Sequence, residues 1–120
     1  METEHEFILT VDGISDLSRD VLDALFEAGC DDATIMMRES QVFMGFTRSA
    51  PTMKEAIVSA IDDVRKAGVG ARVIEATPDR ATEASAREVS GINSVLHAAA
   101  TIERDPTLRP LAARLLAPVR

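Results

Sequence analysis

Between His5 and Ala76 the apolar residues switch back and forth between a period of two and a period of about 3.6. His5–Val11 places Phe7, Leu9 and Val11 on one face and Glu6, Ile8 and Thr10 on the other, as a half-buried strand does. After Asp12-Gly13, Ser15 is a candidate N-cap for a helix whose stripe is Leu17, Val21, Ala24, Leu25 and Ala28, with Gly29 placed to end it in a left-handed conformation. Ala33–Met37 and Val42–Thr47 alternate again, joined by the short polar loop Arg38-Glu39-Ser40-Gln41, which lacks the Asn-Gly signature of a tight hairpin. Pro51-Thr52-Met53-Lys54-Glu55 carries a capping box, followed by the stripe Met53, Ile57, Ala60, Ile61 and Val64 and by Gly68. Val69–Ala76 is the last strand. The order strand, helix, strand, strand, helix, strand spells an α+β, ferredoxin-like βαββαβ sandwich: a four-stranded antiparallel sheet whose right-handed crossovers put both helices on one face.

The module therefore spans residues 5–77, and residues 78–120 form a second segment of different composition, rich in Ala and Arg and without strand signal. Ala81–Val89 is a weak helix. Ile92, Val95, Leu96, Ala99 and Ile102 make a helical stripe ending at Asp105-Pro106, and Thr107 can cap a last helix with the stripe Leu108, Leu111, Ala112, Leu115 and Leu116. Two such helices joined by a tight turn predict a C-terminal helical hairpin.

A chain of 120 residues is about one domain, and 46% hydrophobic residues can build a core without staples. Four Phe with neither Trp nor Tyr count against a stacking platform for single-stranded nucleic acid or sugars. Residues 1–78 hold 7 Lys/Arg against 15 Asp/Glu, and residues 79–120 hold 6 against 5. The acidic module should repel a phosphate backbone. The N-terminal Met1–Glu6 is acidic, unlike a signal peptide, and no stretch is long and apolar enough to span a membrane. Cys30 stands alone, so no internal disulfide forms, which fits a cytoplasmic protein.

The chemistry-bearing residues do not assemble into a catalytic pattern. Cys30 follows a helix C-terminus, where the dipole disfavours a thiolate. Asp31-Asp32 and Asp62-Asp63 read as solvated pairs, and two histidines, His5 and His97, with no Cys beside them build no closed zinc site without several carboxylates. Gly68-Val69-Gly70 follows a helix rather than opening one, so it is no phosphate loop. No enzyme activity, metal or cofactor is implied. The apolar residues left over are Met36 and Phe43, predicted on the open face of the sheet, and the tail stripe of Leu108, Leu111, Leu115 and Leu116 with Ile92 and Val95. Either the tail covers the open face of its own sheet, or these residues meet a protein partner or a second copy of the chain.

From Asp23 through the run LFEAGCDDAT (Leu25–Thr34), Ala50-Pro51 and Ala56–Val64, the chain resembles a little-characterised group of short bacterial proteins. In that group such an acidic module precedes a small helix-turn-helix. The resemblance covers residues 5–76 and implies a transcription regulator or an antitoxin-like partner. Past Pro78 the pattern departs: a turn at Gly91 puts Arg87 where Ala is wanted, and Ala86 at the small position puts Ser90 at the turn. The expectation is a non-enzymatic interaction or regulatory module acting through an apolar C-terminal helix. A DNA-binding regulator with a degenerate helix-turn-helix and a small-molecule sensor on the sheet are the alternatives.

Overall fold

The computed structural model describes residues 2–78 and 83–104, with side chains in the helix over 83–104 described for 86–99. The chain is α+β. Strands β1 (Thr3–Asp12), β2 (Ala33–Arg38), β3 (Gln41–Ala50) and β4 (Arg72–Pro78) form one antiparallel sheet in the order β2-β3-β1-β4. Helices α1 (Arg19–Glu27) and α2 (Met53–Lys66) pack on one face of it, and α3 (Glu83–Arg104) follows β4. The two central strands, β1 and β3, are the longest, and Phe7 pairs with Phe46 across them with the rings stacked at 5.3 Å. The inward residues Phe7, Leu9, Val11, Val42, Met44 and Phe46 meet Leu25 of α1 and Ile57 and Val64 of α2 in a single buried cluster. Among the described residues, no helix is long and apolar enough to cross a membrane.

Several boundaries differ from the sequence expectation for local reasons. The N-cap of α1 is Ser18, whose Oγ accepts from the Val21 N–H at 3.3 Å, and not Ser15. The first helix is thereby shortened, with Ile14 buried and Leu17 half-buried ahead of it. Thr52 caps α2 as the sequence expects, its Oγ1 accepting from the Glu55 N–H at 3.1 Å. The last strand starts at Arg72 instead of Val69. Ahead of it, the backbone of Gly70 approaches Gly13 so closely that a Cβ on Gly13 would lie 2.3 Å from the Gly70 carbonyl oxygen, at a φ of +88° that also favours glycine.

Beyond the module, the two helical stretches expected over Ala81–Val89 and Ile92–Ile102 are one uninterrupted helix, α3. Gly91 and Ser90 lie inside it, so the turn that a helix-turn-helix needs at either position is not formed. The second arm of the predicted hairpin, with Leu108, Leu111, Leu115 and Leu116, lies outside the described residues. The part of α3 that is described packs against β4 and α2, and Val89 joins the core. Its seat is fixed by Asn93, whose Oδ1 accepts from the Ala76 N–H at 2.7 Å while its Nδ2 donates to the Ala76 carbonyl at 3.0 Å. A side-chain amide thus stands where a fifth strand's peptide group would, and with α3 packed along β4 it covers that edge at Ala76.

The β2–β3 hairpin turns on Glu39 and Ser40, with φ of +51° and +67°. Two non-glycine residues in left-handed conformation make this the tight turn the sequence lacked a signature for, at a conformational cost. Replacing them as Glu39→Asn with Ser40→Gly should raise stability by about 1 kcal/mol in chemical denaturation, because that pair adopts the turn without strain. Asn93→Asp keeps an acceptor for the Ala76 N–H but sets a carboxylate against the Ala76 carbonyl. It should cost about 1–2 kcal/mol by the same measurement.

Candidate functional site

The stripe of α2 that faces away from the sheet core is not uniformly polar. Lys54, Val58, Ile61, Asp62 and Arg65 follow one another at helical spacing, and Val58 is 45% exposed. Alongside runs the face of α3 that carries Glu88, Ile92, Val95, Leu96 and Ala99, with Val95 52% exposed. Ala71 and Val73 at the start of β4 form the floor. The result is an apolar groove of about 920 Å³ between two helices. Its ends are set by polar contacts: Glu88 Oε2 accepts from the Lys54 N–H at 3.1 Å, placing a carboxylate at the N-terminus of α2, where the helix dipole favours it. Gly91 lends no side chain to the wall, and a Cβ there would touch nothing. Among the described residues, Lys54, Arg65, Arg72 and Arg87 line the groove with Asp62 and Glu88, an inversion of the module's overall sign. Arg72 is also 3.6 Å from Asp12.

Of the partner-contact residues expected from sequence, Ile92 and Val95 fall in this groove, Ile92 half-buried against the core and Val95 at the opening. Met36 and Phe43 do lie on the open face of the sheet, where they are paired in register; Met36 is 48% exposed and Phe43 half-buried. They belong to β2 and β3, while α3 flanks β4 at the opposite edge, so the two sets do not form one surface. The described side chains of α3 do not serve as a cover for Met36 and Phe43. Val58 falls outside the stripe Met53, Ile57, Ala60, Ile61 and Val64, so periodicity does not single it out; its signal is a β-branched apolar residue among charges.

Two acidic pairs read as solvated are not wholly so. Arg48 occupies an inward position of β3, two residues beyond Phe46, and uses all five of its N–H donors. Nε and Nη2 fork onto Asp32 at 2.8 and 2.9 Å, Nη2 also reaches the Gly29 carbonyl at 2.8 Å, and Nη1 donates to Asp63 at 2.9 Å and to Ser59 Oγ at 3.1 Å. The guanidinium carbon lies 5.1 Å from the Phe46 ring centroid, and the side chain is only 11% exposed. Its hydrogen bonds to Asp32 hold the charged form firmly. Gly29 fits here with φ of +119° because a Cβ would meet the Asp63 carboxylate at 2.7 Å. An inward-facing arginine in a strand needs carboxylates beside it, but the alternation over Val42–Thr47 stops one residue short of Arg48 and gives Asp32 and Asp63 no signal.

The buried Cys30 thiol is pushed from 9.0 up to about 11, first by desolvation and then by the Asp63 charge, so it stays protonated at neutral pH. A ring nitrogen of His5, Nε2, lies 3.0 Å from the Ala50 carbonyl. Among the described residues, no three His, Cys, Asp or Glu side chains converge as a metal ion would require. Replacing Arg48 with Met should cost about 2–3 kcal/mol in urea unfolding, since two part-buried carboxylates then lose their counter-charge. Arg48→Lys should fall between, because a point charge cannot reproduce the fork. No family model matches the chain, and neither a curated protein nor a solved structure matches it.

Proposed function

We propose that the chain is a non-enzymatic protein-interaction module, a ferredoxin-like sandwich whose working surface is the apolar face of α3 that borders α2. The observation that carries this reading is the groove between α2 and α3, where Val58 and Val95 remain exposed on neighbouring helices. A soluble chain gains by burying such a strip, and a groove walled by two helices takes an amphipathic helix by its i, i+3, i+4 and i+7 residues. The occupant is a partner helix with an apolar stripe and acidic flanks. The basic lining of Lys54, Arg65, Arg72 and Arg87 favours that charge, whereas the chain's own tail is arginine-rich, with Arg104, Arg109, Arg114 and Arg120. Apolar burial supplies affinity and the charges set orientation and encounter rate. A regulatory or antitoxin-like role is the biological form of such a module, and the lone protonated thiol suits the reducing cytoplasm.

The test uses a synthetic helix of about four turns with leucines at i, i+3, i+4 and i+7 and glutamates on both flanks, titrated by fluorescence anisotropy. Binding is expected to weaken about tenfold when the flanks are lysine, and by at least about tenfold in Val95→Asp. Equal binding of both peptides, or binding unaffected by Val95→Asp, overturns the proposal.

A further inference from the structure

The two outer strands of the sheet are finished differently. On β4 the outward N–H and carbonyl of Ala76 are taken by Asn93. On β2 nothing comparable is present: the strand pairs with β3 on one side, and among the described residues no backbone hydrogen bond reaches Ile35 or Met37 from beyond the sheet. Which groups point outward follows from the turn. In a two-residue hairpin the flanking pair, here Arg38 and Gln41, is the hydrogen-bonded one, and the pattern alternates from there. Met36 and Thr34 therefore bond inward to β3, and Ile35 and Met37 turn their peptide groups outward. Ala33 belongs to the outward set too, and its N–H is already given to the Cys30 carbonyl.

An edge of this kind is a template for another strand unless something blunts it. Its pairing with β3 has no register shift, the strand contains no proline, and its one charge is Arg38 at the far end. Met36 and Met37 are both exposed. The distribution of charge says what fits: the strand is entered through Asp31-Asp32 and left through Arg38. Laid antiparallel against itself, it brings the basic end of each copy beside the acidic entry of the other.

We propose that β2 is the contact of a two-fold dimer of this chain, pairing antiparallel with β2 of a second copy to give one continuous eight-stranded sheet. With Ile35 opposite Ile35, Met37 faces Ala33 and Arg38 faces Asp32, next to the exposed Asp31. The outward groups then make roughly four hydrogen bonds between chains, and inward and outward faces stay in phase. Each Met36 lands beside Thr34 of the other copy on the open face, extending the apolar patch of Met36 and Phe43 across the axis. This surface is separate from the α2–α3 groove, so the two proposals stand or fall independently.

Light scattering across a concentration series should give a dimer mass for the full chain. Arg38→Glu is expected to raise the dissociation constant at least about tenfold by setting like charges at both ends. Asp31→Arg combined with Arg38→Glu should restore the dimer, a result that mere damage to the strand cannot give. Met36→Lys, at a solvent-facing position, should also favour the monomer. Val95→Asp should leave the dimer intact. A monomer up to about millimolar concentration overturns the inference, including the case in which a different protein's strand is the natural occupant. So does a dimer that survives Arg38→Glu and Met36→Lys, or one that Val95→Asp alone dissolves.

Discussion

One arginine holds the layers of this protein in register. The charge of Arg48 sits where the alternation of β3 calls for an apolar residue, and it is tolerable there because every donor is met. It joins three elements: β3 carries the guanidinium, the loop and turn before β2 supply the Gly29 carbonyl and Asp32, and α2 supplies Ser59 and Asp63. Phe46 beneath it contributes a ring face. Apolar contacts bring helix and sheet together but tolerate sliding; a forked ion pair with a further three acceptors does not. The angle at which α2 crosses the sheet, and with it the position of the groove-forming stripe on its far side, depends on that geometry.

The second determinant is the way α3 meets the module. Its apolar residues Val89, Ile92 and Leu96 face the core, but two polar contacts decide where the helix stops along its neighbours. Asn93 ties it to the middle of β4, and Glu88 ties it to the first turn of α2. Between those anchors the helices stand apart, with Gly91 leaving the wall thin, and a strip of valine, isoleucine and leucine is left between them. Pulling the helices closer to close the strip would strain the same hydrogen bonds that seat α3.

Much of the architecture was legible in the chain. The alternations in His5–Val11, Ala33–Met37 and Val42–Thr47 and the two helical stripes are strong because each element is amphipathic, and the capping box at Thr52 gave a start correct to the residue. Element ends were weaker. Ser15 and Ser18 are both capping residue types, and the structure uses Ser18, with Ile14 buried ahead of it. Glu39-Ser40 carries no turn signature because the conformation is imposed by the strands on either side. The groove was half visible: Ile92 and Val95 stood out by spacing, but their neighbour is α2, which periodicity within one helix cannot reveal. The clamp was hidden for the same reason, since Asp32 and Asp63 are thirty-one positions apart in number and look like any surface acids until Arg48 is placed between them.

The amide of Asn93 has a consequence for how the protein behaves when crowded. A β-sheet with two open margins can add copies at both sides and run on into a ribbon; with one margin sealed by a side chain of the same molecule, addition has a single direction and stops after one step. Whatever joins this sheet, a fibril would first require the asparagine to let go.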